Sequence, residues 1–275
     1  MIMGNYLVFA AAAVLLSLLS ISCQTGSSAA HPSILAANDP QKAADKNSAK
    51  QPVLVELFTS EGCSSCPPAE RALAFLEQQQ PVSGAEIIAL ELHVDYFDSA
   101  GWKDPFSSAF FTQRQYLYAE RYKSDKVYTP QMVVDGAQQF IGSDTLQATN
   151  VIMEASKKTK ANITLTRDGE KLKVQITDIP KLEDSTVFLA LAENNLATNI
   201  KGGENSGKKL SHTAVVRKLG VIGDVKSDGK FFEAQINLEF KPEWKKDDVK
   251  AVVFVQENTS RRILGVGQLS LAAGK

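Results

Sequence analysis

Cysteine and histidine are scarce in this chain, three of each among 275 residues. A disulfide-stapled mini-domain needs more bridges and a multi-zinc protein more ligands, so both are excluded. An excess of charge of one sign is also missing. Lys and Arg total 30 and Asp and Glu 31, for a formal net charge of −1. No basic surplus is offered to phosphates, which argues against nucleic acid as a partner. Long hydrophobic runs are missing beyond the N-terminus, which excludes a multi-span membrane protein. Hydrophobic residues at 44 % and charged residues at 22 % are ordinary for a folded chain and exclude wholesale disorder or a collagen-like repeat. The length suggests one to two domains.

The single long run is Tyr6 to Ile21. It lies between a signal h-region and a minimal membrane span. Small Ser22 and then Cys23 follow it, and this ending resembles a bacterial lipoprotein signal. That resemblance implies cleavage before Cys23, a lipid on its thiol, and, with Gln24 next, an outer-membrane destination. Two other readings stand beside it: an uncleaved anchor, and cleavage after Ser28-Ala29-Ala30 to release a free protein. All three carry the globular part out of the cytoplasm. The expectation is an exported protein, periplasmic or attached to the outer membrane. Residues 1–22 are then the signal peptide, and any membrane contact runs through the N-terminal lipid or anchor. Residues 23–51 are rich in Ala, Ser, Asn and Lys without apolar periodicity and read as a disordered linker.

Two patterns follow. From 52 to 158, strand and helix alternate. Val53 to Phe58 is a buried strand, Pro67-Pro68 opens a helix, and Ile87 to Val94 is a second strand. Residues 96 to 126 place aromatic residues at helical spacing. Met132 to Val134 and Gln138 to Ile141 form a hairpin around Asp135-Gly136, and Asp144 to Lys158 closes the unit with a helix. From 159 to 275, short strands of alternating polarity succeed one another and no long helix appears, which reads as an all-β, sandwich-like domain. The segment Asn199 to Lys209, with three glycines, reads as a long flexible loop.

The chemistry sits in Cys63-Ser64-Ser65-Cys66, between the first strand and the helix opened by Pro67. Unpaired N–H groups and the macrodipole at a helix N-terminus favour an anion, so the Cys63 thiol is the nucleophile and Cys66 the thiol that resolves a mixed disulfide. Other readings of the pair stay open. One is a purely structural bridge, although a loop this short gains little from closure. Another is binding of Cu(I) together with His93, since soft sulfur ligands select that ion. A structural zinc site lacks a fourth ligand. A further alternative is a non-catalytic envelope protein whose β part binds a partner. His93, Asp95 and Trp102 are candidates to line the site. Each also has an ordinary reading, as a hydrogen-bonded or packed residue.

Strand, C-x-x-C and helix in this order resemble the thioredoxin fold. That resemblance implies a cis peptide at Thr129-Pro130 facing the cysteines and a proton-transfer role for Glu56, seven residues before Cys63. More specifically, the segment from Val55 to Glu70 resembles the DUF1223 family. So do His93 to Tyr96, Gly101-Trp102, Asp104 to Phe106, Tyr128 to Gln131, Glu204 to Gly207, and Leu210, His212 and Val215 to Arg217. The resemblance implies exported bacterial proteins with a thioredoxin-like part and a β part, and it adds His212 and Arg217 to the site-lining candidates. The expected architecture is an α/β thioredoxin-like domain followed by an all-β sandwich-like domain. The expected function is thiol–disulfide exchange on protein or small-molecule thiols. No cofactor is needed for it.

Overall fold

The computed structural model describes residues 50–180 and 183–272. The signal segment, Cys23 and the linker up to residue 49 lie outside the described residues. Among the described residues no helix is long and apolar enough to cross a membrane.

The chain first forms β1 (Gln51–Thr59), α1 (Pro67–Gln79), β2 (Ala85–His93), α2 (Ala109–Tyr122), β3 (Gln131–Val134), β4 (Gln138–Ile141) and α3 (Thr145–Ala155). The β1 and β2 strands are almost continuously buried and run parallel. Such strands need apolar residues on both faces because both faces are covered. The α1 helix begins on Pro67, where a missing N–H is no loss, and buries Ala69, Ala72, Leu73 and Leu76. It ends at Gln80 in the left-handed region, before Pro81 and Gly84 are reached. The aromatic stretch after β2 is loop up to Ser108, whose hydroxyl caps α2 by accepting from the Phe110 N–H. The β3–β4 hairpin has a three-residue connection, Asp135 to Ala137. Asp135 (φ 48°) and Gly136 (φ 62°) are the central residues of a turn closed by the Ala137 N–H on the Val134 carbonyl, and both take the left-handed conformation that Asp and Gly tolerate. A Cβ on Gly136 would lie 1.9 Å from the Arg261 carbonyl oxygen. Gly136→Ala should therefore lower the urea midpoint by the equivalent of about 1–3 kcal/mol, and an unchanged midpoint would mean this turn can shift freely.

The second stretch supplies β5 (Asn162–Asp168), β6 (Lys171–Thr177), β7 (Ser185–Glu193), β8 (Leu196–Asn199), β9 (Lys209–His212), β10 (Val215–Val225), β11 (Phe232–Asn237), β12 (Val249–Glu257) and β13 (Ile263–Ser270). One eight-stranded mixed sheet contains strands from both stretches, in the order β13-β12-β7-β10-β2-β1-β3-β4. The junction is parallel: Val215 of β10 lies beside Glu91 of β2, and the Glu91 N–H donates to the Ala214 carbonyl at 2.9 Å. The protein is mostly β, with few helices. This corrects the expected succession of a thioredoxin-like domain and a separate sandwich. The free edge of β2 is closed by β10 rather than exposed, as an unpaired edge would be.

A second sheet, β11-β6-β5, lies over the β13 end. Leu172, Val174 and Ile176 point inward from β6 and meet Val187, Leu189 and Leu191 of β7 and Val253 and Val255 of β12. The alternate residues Ala190, Ala192, Val252 and Phe254 face the other way, into the core shared with β1, β2 and α1. Adjacent residues of one strand thus hold two cores together. Trp244 belongs to one core, while Trp102 is bonded into the turn after β1. The protein should unfold in urea as one transition, with tryptophan fluorescence and far-UV dichroism coincident. Two separated transitions would show that the halves are independent.

The glycine-rich loop is not free. The β8 and β9 strands form a hairpin around it, and Ile200 and Asn205 are buried within it.

Candidate functional site

The β1 strand ends at Thr59, and a tight turn returns the chain to α1. The Cys63 N–H donates to the Ser60 carbonyl, and the Cys66 N–H to the Cys63 carbonyl. Cys66 is the N-cap residue of α1. The helix therefore starts after the pair, so Cys66 lies at its mouth and not one turn inside. Cys63 and Cys66 form a disulfide, with their Cα atoms 5.4 Å apart. Ser65 Oγ lies 3.3 Å from Cys63 Sγ. The Thr129-Pro130 peptide is cis. Pro130 borders the same side: a Cβ at Gly142 would touch both Pro130 Cβ and Ala69 Cβ in the first turn of α1.

Neither sulfur-bearing residue is open to solvent; Cys63 is 2 % exposed and Cys66 0 %. The cover comes from the loop between β8 and β9. Asn205 Nδ2 donates to the carbonyls of Glu61 (2.8 Å) and Cys63 (2.9 Å), and the Ser64 N–H donates to Glu204 Oε2. Gly202 fits because a Cβ there would stand 2.2 Å from the Gly101 carbonyl oxygen. Asn205→Ala removes the two hydrogen bonds that hold the turn, worth about 1 kcal/mol each, besides the one that Asn205 Oδ1 accepts from Lys208. Reduction of the pair by dithiothreitol should then quicken roughly 10- to 30-fold. An unchanged rate would place the barrier elsewhere.

Behind the pair lies a buried polar cluster. In parallel β1 and β2, Thr59 sits beside His93 and Leu57 beside Glu91, so these four side chains share the face that α1 covers. His93 Nδ1 meets Asp104 Oδ2 at 2.7 Å, and its Nε2 meets Glu91 Oε1 at 3.1 Å. His212, at the end of β9, meets the same Glu91 oxygen through Nδ1 at 2.9 Å and Glu61 Oε1 through Nε2 at 3.1 Å. The Trp102 indole N–H donates to Glu61 Oε2, and the Thr59 hydroxyl to Glu70 Oε1. Glu70 lies one turn into α1, on the helix face of Cys66.

The electrostatics follow from burial against pairing. Burial, then the Glu91 charge, pushes the Glu70 carboxyl up to about 7. Burial would raise Glu91 too, but the hydrogen bonds from His212 and His93 outweigh it and hold Glu91 near 2. Burial opposes a charge on His93, yet Asp104 and Glu91 lift it well above the usual imidazole range. His212 resists burial in the same way through Glu61 and Glu91 and titrates at about 9.

Of the residues singled out in the sequence, Cys63, Cys66, Pro130, His93, Trp102 and His212 are gathered here. Glu56 is not. It lies beside Leu90, on the opposite sheet face, where both its oxygens are held by Arg114 and one by Tyr118. This corrects its assignment to proton transfer at the cysteines. Asp95 turns to α2, accepting from the Thr112 hydroxyl at 2.6 Å. Arg217 pairs with Glu193 at 2.8 Å and stacks on Phe106, whose ring separates it from the two histidines. Glu61, Glu70, Glu91, Asp104 and Asn205 join the site through the fold, beyond the candidates the sequence points to. A charged residue in the apolar strand Ala85–His93, two positions before His93, was the available signal for Glu91. The metal-competent side chains that converge among the described residues are Glu91, His93 and His212, without either cysteine.

The fold and site define a mostly β protein whose mixed sheet carries a buried disulfide at a helix N-terminus. Residues 54–256 match the family described as "Protein of unknown function (DUF1223)", and the chain belongs to that family. No curated protein matches. The crystal structure of protein AGR_C_4864 from Agrobacterium tumefaciens is similar, with a TM-score of 0.64 and 24 % identity over 81 % of this chain and 95 % of that one. A domain of the outer membrane lipoprotein Omp28 from Porphyromonas gingivalis aligns at 17 % identity over 42 % of this chain and 92 % of that one. Its TM-score of 0.24 is too low for any argument.

Proposed function

We propose that this protein is an exported thiol–disulfide exchange protein working through Cys63 and Cys66. The observation that carries the reading is the position of the disulfide: it closes the turn into α1, with Cys66 as the helix N-cap. The strand order β2-β1-β3-β4 within the large sheet, with α1 after β1, supports a thioredoxin-like reading of this part, as does Pro130, which like Ala69 of α1 would be touched by a Cβ at Gly142. Export fits a cysteine pair that persists as a disulfide in an oxidising compartment.

In the oxidising direction a substrate thiolate attacks the Cys63 sulfur, the Cys63–Cys66 bond breaks, and Cys66 leaves as a thiolate. The second substrate thiol, deprotonated, attacks the substrate sulfur of this mixed disulfide and releases Cys63. The substrate loses two electrons and two protons, and the pair gains them. The helix N-terminus and the Ser65 hydroxyl stabilise the Cys63 thiolate, which favours the reduced pair and this direction. Equilibration of the purified protein with glutathione tests the reading. A reversible potential between about −120 and −270 mV is expected. A pair that resists reduction below about −300 mV is a structural bridge and overturns it.

A further inference from the structure

We propose that Glu91, His93 and His212 bind a first-row divalent cation of the zinc type, at a fully buried site behind the disulfide. One oxygen, Glu91 Oε1, faces both imidazoles: His93 Nε2 at 3.1 Å and His212 Nδ1 at 2.9 Å. The ligating atoms of the three residues all lie within 4.8 Å of one another. A tetrahedron with zinc-to-ligand bonds of about 2.0–2.1 Å has edges of about 3.3 Å. The two carboxylate–imidazole separations are within a few tenths of an ångström of that, and the two imidazole nitrogens, within 4.8 Å of each other, close on the ion by side-chain rotation.

The outer nitrogens are placed as a metal site requires. Each imidazole turns its other nitrogen to a separate carboxylate, His93 to Asp104 and His212 to Glu61. Such partners fix the tautomer and aim the free nitrogen at the ion. They are themselves held. Asp104 accepts the N–H groups of Glu61 and Phe106, and Glu61 accepts the Trp102 indole N–H. The His93, Phe106 and His212 rings pack edge to face around the group. Glu70 Oε2, 3.9 Å from His212 Nδ1, is near enough to supply a fourth ligand.

Charge points the same way. Glu61, Glu70, Glu91 and Asp104 are all buried, and among the described residues no Lys or Arg forms an ion pair with any of them. Positive charge there can come from two buried imidazolium rings or from one divalent ion, and protonation of Glu70 lowers the amount needed. Two imidazoles with carboxylates, and no thiolate, suit zinc or iron rather than Cu(I). The site is separate from the exchange chemistry: it uses neither sulfur, and it does not depend on the redox reading.

The test uses the full chain, purified without a metal-affinity step, assayed for metals, then stripped with chelator and titrated with Zn²⁺ alone. One equivalent per chain is expected. Co²⁺ in place of Zn²⁺ should give visible d–d absorption without a sulfur-to-cobalt charge-transfer band. A Cys63→Ser, Cys66→Ser double variant should keep the full equivalent. Asp104→Asn should bind 10- to 100-fold more weakly, and Glu91→Gln more weakly still. The cobalt spectrum of the unmodified chain decides the matter if either variant fails to fold. Failure to take up Zn²⁺, a sulfur charge-transfer band, or loss of the ion from the cysteine double variant each overturns the site. None of these outcomes depends on the potential of the disulfide.

Discussion

A Cys66→Ser chain should emerge from reaction with a disulfide substrate still covalently joined to it through Cys63. A Cys63→Ser chain should carry no adduct and show no exchange above background. The asymmetry comes from access. Cys63 lies in the turn, followed by the exposed residues Ser64 and Ser65, whereas Cys66 is fully buried at the mouth of α1. Displacing Asn205 and Glu204, which hold Glu61, Cys63 and Ser64, should open the turn and bring Cys63 to solvent. Once Cys63 holds half of the substrate, the sulfur best placed to release it is that of Cys66, whose Cα lies 5.4 Å away. Without that sulfur, release depends on outside thiols and takes minutes to hours instead of a fast intramolecular step. Intact-chain mass spectrometry before and after dithiothreitol measures the adduct. Adducts on Cys63→Ser alone would reverse the two roles. Adducts on neither variant would leave the pair a structural bridge.

How much of this was legible depends on how local each cause is. The β1 strand, α1 and the β3–β4 hairpin follow from short-range rules: an apolar run, Pro at the helix start, Asp-Gly at the turn. The pair's position between β1 and α1 could be read for the same reason. The joining of the two stretches into one sheet could not, because a single parallel contact, Val215 beside Glu91, makes the connection across more than a hundred residues. The hairpin of β8 and β9 escaped because its strands have four residues each and half of those are exposed. Its role as cover depends on the Asn205 amide meeting two carbonyls in a distant turn. Glu56 shows the opposite error. An acid near the cysteines in sequence is remote from them in space, since one step along a strand changes the sheet face. The true companion acids, Glu61, Glu70 and Glu91, come from the turn, the helix and the neighbouring strand, and only the fold puts them together.

Glu56 instead anchors the opposite face, and removing its partner should be the most damaging single change to stability. Arg114 donates from Nε and Nη2 to the two Glu56 oxygens, at 2.6 and 3.1 Å, and from Nη1 to Gln256 Oε1 at 3.0 Å. Its guanidinium also lies over the rings of Tyr118, Phe188 and Phe254, at 5.2 to 5.4 Å. Helix α2, strand β1 and strands β7 and β12 therefore meet at one side chain, and both ions are nearly sealed from water. Arg114→Met leaves the Glu56 carboxylate buried with only the Tyr118 hydroxyl to hold it. Breaking such a pair costs about 3–5 kcal/mol. That is a large share of the roughly 5–15 kcal/mol by which domains are stable. Combining Arg114→Met with Glu56→Leu removes both charges, and replacing a buried pair by apolar residues of similar size is often neutral or better. The double variant should thus recover most of the loss in urea unfolding. The reduction potential of the folded protein should stay the same in both, because this cluster and the disulfide lie on opposite sides of the sheet. A single variant costing under about 1 kcal/mol would mean that water reaches the pair. A double variant as unstable as the single one would show that packing against the three rings, and not the charge, is what Arg114 contributes.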